Sequence, residues 1–172
     1  MSTRIKDCFS RLKAQNRTAL ISFTMAGYPD LSASEELLMA LPDAGVDIIE
    51  LGMPFSDPTA DGPSIAASGI RALKAQTTLQ DVLDLAVRFR DKHRDTPLIL
   101  MGYYNPIMQY GGDAFAKAAN NSGVDGLIIV DLPPEEEQEL VPALDKHNIA
   151  LCLLYTSPSP RDQRGPRMPS SA

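Results

Sequence analysis

Two carboxylates eleven residues apart are the first candidates for chemistry in this chain. Glu50 lies inside the apolar run of residues 46–51, and Asp61 ends the loop that follows, which carries two prolines and Asp57. An ionised carboxylate among apolar groups costs free energy unless it is paired. Burial raises a carboxyl pKa toward the range of a general acid or base. Two such groups in different environments can hold different protonation states, which predicts proton transfer.

Each carboxylate also has a structural interpretation. Glu50 could be an interior acid whose oxygens accept hydrogen bonds from the backbone or a neighbouring serine. Asp61 precedes Gly62 and Pro63, a sequence typical of a turn and helix start, so it could cap the following helix.

Four segments of the chain share one sequence pattern, and Glu50 and Asp61 belong to the second of them and its loop. Each is an apolar run with a polar or aromatic residue near its end, followed by a loop containing proline. Near-continuous apolar character is typical of strands buried on both faces of a parallel sheet. The four runs are residues 20–25, 48–52, 98–103 and 126–131.

Helical patterns separate these strands. Ser32 and Glu35 have the spacing of a capping box, and Thr78 and Asp81 form a similar start. Pro134 is expected to begin a helix whose last turn holds Lys146 and His147. Two further helices are expected after Asp113 and over residues 64–74.

The alternation of strand and helix predicts either an open doubly wound sheet or a closed (β/α)8 barrel. The repeat lengths fit a barrel unit, apart from the extra helical sequence at 64–74. A fifth strand begins at residues 149–151, whereas a complete barrel has eight strands and about 250 residues. We therefore expect roughly the first half of a barrel, with its active site at the carboxyl ends of the strands.

The composition excludes several functions. The 172 residues carry a formal net charge of −6 and no basic patch, which disfavours nucleic-acid binding. No apolar run is long enough for a transmembrane helix, and the N-terminal residues lack the apolar core of a signal peptide. Cys8 and Cys152 lack metal-ligand spacing and are expected to be reduced thiols in the cytoplasm.

The composition changes near residue 152. Residues 152–172 contain four Pro, four Ser and three Arg, with Asp162 as the one acid. A disordered tail or a linker would have such a composition. Residues 152–162 also resemble a translated sequencing adapter, so we expect the coherent domain to be residues 1–151 and the rest to be a non-native or disordered tail.

The stretch from Glu50 to Gly62 resembles, almost residue for residue, the signature of the tryptophan synthase alpha subunit family. Thr59 departs from it, at a position where an aliphatic residue is more usual. The resemblance extends from the N-terminal helix to about Leu151. It also covers residues 23–29, 101–106 and 124–133.

The resemblance implies a TIM barrel of the ribulose-phosphate-binding type and a lyase that needs no cofactor. Members of the family cleave indole-3-glycerol phosphate to indole and glyceraldehyde 3-phosphate. By this resemblance Glu50 is the acid/base that moves protons, and Asp61 accepts the indole N–H. The substrate-binding residues implied are Phe23, Leu100, Tyr103, Ile128 and Asp131, although the first four could equally be plain core residues.

The resemblance also implies a partner. Pro54 and Asp57 would contact the beta subunit, which carries pyridoxal phosphate and consumes the indole in a tetramer of two alpha and two beta subunits. Because barrel phosphate sites are often formed after strands seven and eight, this chain alone is expected to be inactive. An open half-barrel also exposes a long strand edge and an uncovered core, so the chain is expected to be prone to aggregation. Two rival interpretations are another phosphosugar barrel, such as an isomerase of histidine biosynthesis, and a non-catalytic docking subunit.

Overall fold

The computed structural model describes residues 2–153, which form one parallel sheet with helices along its connections. The strands are β1 (Ile21–Met25), β2 (Ile48–Gly52), β3 (Leu98–Gly102), β4 (Gly126–Ile129) and β5 (Ala150–Leu153). The helices are α1 (Thr3–Ala14), α2 (Leu31–Ala40), α3 (Pro63–Lys74), α4 (Leu79–Lys92), α5 (Tyr104–Tyr110), α6 (Gly112–Asn121) and α7 (Val141–Lys146). A 3-10 helix, Pro134–Glu139, precedes α7.

The strand order identifies the architecture as barrel-type. The five strands lie in the order β1-β2-β3-β4-β5, and all four neighbouring pairs are parallel. An open doubly wound sheet reverses its strand order at a switch point, and the described sheet has no reversal. The prediction of a (β/α)8-type fold is confirmed, with five of its strands described.

The two faces of the sheet are buried to different extents. The face toward the helices is fully buried in the main core, and its residues from β2, β3 and β4 are Ile49, Leu51, Leu98, Leu100, Leu127 and Ile129. The opposite face, which is the interior side of a barrel, is partly open. Ile21 on this face is 47% exposed, and Glu50 and Met101 are half-buried. Most hydrophobic stabilisation therefore comes from the helix side.

One of the two predicted capping boxes is present. The Thr78 hydroxyl accepts from the Asp81 backbone N–H, and the Asp81 carboxylate accepts from the Thr78 N–H at 2.8 Å, so α4 begins as expected. The start predicted at Ser32 is wrong. Asp30 caps α2 instead, because its carboxylate accepts from the Ala33 N–H at 2.9 Å and the helix already begins at Leu31.

Proline explains two other departures from the predicted elements. The single helix expected from Pro134 is divided into the 3-10 helix and α7, and Pro142, which lacks an N–H, lies in the first turn of α7. The segment around Pro106 was expected to be a loop, yet it forms α5. A proline near a helix start is tolerated because the N–H groups there have no partner within the helix.

Two buried aspartates fix the amino ends of the strands. Asp47 precedes β2 and accepts from Arg17 and from the Leu20 backbone N–H. Asp125 precedes β4 and accepts in the same way from the Leu98 backbone N–H. Each carboxylate thus ties its own strand to the start of the preceding one.

The same three residues, Gly-Val-Asp, build both of these contacts. Gly45 and Gly123 have φ angles of 94° and 77°, which a residue with a Cβ rarely adopts, and they turn the chain out of the preceding segment. The aspartate two positions later then reaches the neighbouring strand. This repeat was not among the sequence predictions, although it is visible in the sequence at 45–47 and 123–125.

Several expectations concern the ends of the described chain. Strand β5 extends to Leu153, two residues past the predicted domain end, and the rest of the expected tail lies outside the described residues. Cys8 is buried, Cys152 is exposed, and both are free thiols. Within residues 2–153, none of the helices combines the length and apolar character needed to cross a bilayer.

The Asp125 contacts yield a prediction about stability. Its side chain is 1% exposed and also binds Ser2, Arg4 and the largely buried Arg90. Asp125→Asn leaves the Arg90 charge uncompensated and should lower the free energy of unfolding by about 3–5 kcal/mol in urea titrations. Asp113→Asn, which removes an exposed ion pair with Lys146, is the control and should change it little. Equal loss in both variants would contradict the prediction.

Candidate active site

Glu50 lies at the centre of the open face of the sheet. It is in register with Phe23 on β1 and Ile99 on β3, and its side chain is half-buried. No hydrogen-bond donor contacts its carboxylate among residues 2–153, so the structure gives no support to a satisfied interior acid. Burial alone raises the pKa of Glu50. An unpartnered carboxyl with a raised pKa is suited to giving and taking protons.

Asp61 lies at the end of the loop of residues 53–62, just before α3. The N-cap of α3 is Gly62, without a side-chain hydrogen bond, so Asp61 does not cap this helix. Burial raises the pKa of Asp61, and a hydrogen bond from the Tyr103 hydroxyl acts against that rise. The carboxyl therefore has a donor close by, which Glu50 lacks.

A small cavity at the carboxyl ends of β1 to β4 contains Asp61. Its lining residues are Phe23, Met25, Gly52, Met53, Asp61, Ile65, Met101, Gly102, Tyr103 and Val130. The volume is about 10 Å³, close to the least that holds one water molecule. A bicyclic ring therefore requires side chains to move before it can enter.

Phe23 connects this cavity to Glu50. Its ring lies over Gly52, where an added Cβ would come within 2.7 Å of the ring edge. Gly52 is two residues after Glu50 and on the same face of β2. Phe23 is thus the lateral neighbour of Glu50 on the sheet and also a wall of the Asp61 cavity.

The prediction that Leu100 lines the pocket requires correction. Leu100 pairs with Leu51 and Leu127 on the helix-facing side, where it is 0% exposed. Side chains alternate between faces along a strand, so a one-residue shift reverses the face. Met101 occupies the open face instead and lines the cavity.

The remaining predicted ligand residues have varied positions. Ile128 is in register with Met101, so it lies on the Glu50 face, and it is 8% exposed. Tyr103 lines the cavity directly after β3. Asp131 is exposed after β4, and its carboxylate accepts the Tyr104 backbone N–H at 2.7 Å. Asp131 thus has a structural contact at the start of α5 as well as free acceptor capacity.

The predicted partner contacts lie in the exposed part of the loop of residues 53–62. Asp57 is exposed, and its carboxylate accepts from the Ser56 hydroxyl at 2.9 Å. Pro54 is half-buried. Within the described part of the chain, no cluster of three or more His, Cys, Asp or Glu side chains is arranged to hold a metal ion.

Seven lining residues were missed from the sequence: Met25, Gly52, Met53, Ile65, Met101, Gly102 and Val130. The alternation of side chains along a strand could have placed Met101 on the face of Glu50. Glu50 pairs with Ile99, and Met101 lies two residues after Ile99, so both point to the same face. Met53 and Val130 follow the ends of β2 and β4, where no periodicity indicates direction.

Comparison with known proteins gives a consistent result. A family model described as tryptophan synthase alpha chain matches residues 9–172. A crystal structure of tryptophan synthase subunit alpha from Legionella pneumophila str. Paris is 42% identical, with a TM-score of 0.85. It is matched over 88% of this chain and 57% of its own length.

Two further structures agree with that match. A tryptophan synthase alpha chain from Legionella pneumophila subsp. pneumophila is 40% identical, with a TM-score of 0.87, over 94% of this chain and 61% of that one. Tryptophan synthase from M. tuberculosis in an aminoacrylate-bound form is 37% identical, with a TM-score of 0.84, over 88% and 61%. The chain thus spans less than two thirds of the length of these relatives.

The burial of Glu50 predicts a pH-dependent stability difference. Because the folded-state pKa lies above the reference value of 4.5, the folded protein binds more protons than the unfolded chain in that range. Its stability therefore falls as the pH rises through the window that starts near 4.5. Glu50→Gln removes this effect, so the variant should match the parent at about pH 4 and be more stable at about pH 7.

Urea unfolding at the two pH values measures this difference. The control is Glu36→Gln, which changes an exposed acid on α2. A Glu50→Gln advantage that is as large at low pH as at neutral pH would contradict the interpretation.

Proposed function

The chain belongs to the tryptophan synthase alpha chain family, and from this we propose that it supplies the acid–base part of a lyase site of L-tryptophan biosynthesis. The reaction is the cleavage of indole-3-glycerol phosphate to indole and glyceraldehyde 3-phosphate. The observation that carries the proposal is the half-buried Glu50, whose carboxylate has no hydrogen-bond donor among residues 2–153. Glu50 is the register partner of Phe23, which lines the Asp61 cavity.

The chemistry requires two proton movements. Protonation of indole carbon 3 makes the ring an electron sink and places positive charge at the nitrogen. Removal of the proton from the hydroxyl group on the adjacent glycerol carbon then lets the carbon–carbon bond break. Its electrons restore the neutral indole, and the hydroxyl carbon becomes the aldehyde. We assign both proton movements to Glu50, whose raised pKa lets it act as acid and then as base.

Asp61 has a complementary role in this proposal. Its carboxylate accepts the indole N–H and stabilises the positive charge that develops on the ring. A hydrogen bond from Tyr103 favours the ionised form of Asp61. An acceptor must be ionised when the charge develops, so this contact supports the assignment.

The indole ring would enter the open face next to Glu50. Phe23, Tyr103, Met101 and Ile128 would surround it, with the Phe23 ring moving off Gly52 to make room. Asp131 would lie at the rim, close to the end of β4. Because barrel phosphate sites are often formed after strands seven and eight, we place the phosphate contact in the part of the relatives that this chain does not span.

We further propose a partner and a location. The exposed loop around Pro54 and Asp57 would contact the beta subunit, in a tetramer of two alpha and two beta subunits. The alpha chain would need no cofactor, and pyridoxal phosphate would be held by the beta subunit. The two free thiols suit a cytoplasmic enzyme. A net charge of −6 does not suit nucleic-acid or anionic membrane binding.

A chimera tests the catalytic assignment. Residues 1–151 of this chain would be joined to the part of the Legionella pneumophila str. Paris subunit that the chain does not cover. Indole release from indole-3-glycerol phosphate should fall about 10²- to 10⁴-fold in Glu50→Gln and Asp61→Asn chimeras, and stay unchanged in Glu36→Gln. The 172-residue chain alone should release no indole.

Two outcomes would reject the assignment in favour of a rival. Unchanged indole release in Glu50→Gln would favour a docking subunit without catalysis. An inactive but folded parent chimera that isomerises another phosphosugar would favour a different barrel enzyme.

The loop contact yields a separate prediction. Asp57→Ala in the chimera should raise the dissociation constant for the Legionella beta subunit about tenfold, which corresponds to about 1.4 kcal/mol lost from one interface side chain. Asp91→Ala, which removes an exposed acid on α4, should leave it unchanged. Calorimetric titration measures both dissociation constants. Equal values for the Asp57→Ala and Asp91→Ala chimeras would show that the loop does not contribute to the interface.

A further inference from the structure

Tyr103 anchors the loop of residues 54–61 to the rest of the domain. Among the hydrogen bonds of the described residues, the one that joins this loop to a residue outside it is made by Tyr103. Tyr103 is 3% exposed and directly follows β3. Its hydroxyl accepts the Ala60 backbone N–H at 2.9 Å. The other described hydrogen bonds of residues 54–61 lie within the loop, from Thr59 N to Asp57 O and from Ser56 to Asp57.

The ring of Tyr103 makes a second contact with the same loop. It stacks on Phe55, with ring centroids 4.9 Å apart and an interplanar angle of 28°. Phe55 lies between Pro54 and Asp57, which are the proposed partner contacts. Tyr103 therefore contacts the loop at two points, one next to the partner surface and one next to Asp61.

A phenol hydroxyl can accept one hydrogen bond and donate another, so the Tyr103 hydroxyl can interact with both Ala60 and Asp61. The oxygen accepts from Ala60, so the hydroxyl proton is free to be donated. Asp61 is the acceptor beside it, and the two groups perturb each other's pKa values. The Tyr103 hydroxyl thus binds the loop backbone at Ala60, directly before Asp61, and the Tyr103 and Asp61 side chains line the same cavity.

We propose that Tyr103 is a positioning residue, which holds the Asp61 carboxylate in a fixed place relative to the partner-facing part of the loop. This inference rests on the proposed function for the role of Asp61. In this proposal Tyr103 positions Asp61 in addition to lining the pocket.

The first experiment uses the 172-residue chain and does not depend on activity. Tyr103→Phe keeps the ring and removes only the hydroxyl. The Ala60 amide should then exchange with deuterium roughly fivefold faster, since one hydrogen bond is lost. The Asp61 pKa, followed by carboxyl carbon NMR, should shift upward because its donor is gone.

Tyr104→Phe is the matched control. The Tyr104 hydroxyl lies 3.2 Å from Glu139 and is exposed, so its removal should leave both Ala60 exchange and the Asp61 pKa unchanged. If Tyr103→Phe folds and neither quantity changes relative to Tyr104→Phe, the positioning role is wrong.

The second experiment uses the chimera described above. Tyr103→Phe should lower kcat for indole release between about 10- and 100-fold, with KM changed less than threefold, because misplacement of Asp61 affects the transition state more than ground-state binding. A rise in KM at constant kcat would overturn the proposal and leave Tyr103 a pocket wall. An inactive parent chimera with the expected NMR result would instead reject the proposed function and retain the contact.

Discussion

The register of the parallel strands is the constraint on which every site residue depends, and two buried carboxylates set it from the opposite end of the sheet. Asp47 binds the backbone N–H of Leu20, directly before β1, and Asp125 binds that of Leu98, the first residue of β3, and each also balances an arginine. A register shift of one residue would carry Glu50 to the helix-facing core and bring Leu51 to the open face. The amino ends therefore hold the interactions that fix geometry, and the carboxyl ends are left to hold the reactive groups, as is usual for this fold.

The division between the two faces has an energetic reason. Fully buried aliphatic side chains on the helix side each contribute roughly 1.5–3 kcal/mol, and six of them come from β2, β3 and β4 alone. The open face contributes less, so it tolerates a carboxylate with no donor. Glu50 can be changed without creating a cavity in the main core, because the residues on either side of it, Ile49 and Leu51, point the other way. Stability and proton chemistry thus occupy different faces of the same strand.

The sequence predicted the strands, and the positions of Glu50 in a strand and Asp61 in the loop after it, because both rest on local pattern. A continuous apolar run, an acid within it and a proline-containing loop are visible in order, and the parallel topology brings the carboxyl ends together. Errors arose at two kinds of position. One kind depends on which face of the sheet a side chain points to, and the other on which of two nearby residues caps a helix. Leu100 was placed on the wrong face by one residue, and Asp30 rather than Ser32 provides the cap of α2. The role of Tyr103 could not be predicted at all, because its contact with Ala60 spans 43 residues.

The different surroundings of the two acids explain why one site contains both. Burial raises the pKa of each, but only Asp61 has a donor that opposes the rise. Burial therefore favours the protonated form of both carboxyls, and the Tyr103 hydroxyl opposes this effect at Asp61. A proton carrier must change its ionisation during the reaction, and a charge-stabilising acceptor must keep it. Tyr103 directly follows β3 and lines the cavity of Asp61, so its hydroxyl acts on Asp61, and a side chain there without a hydroxyl would make the surroundings of the two carboxyls more alike.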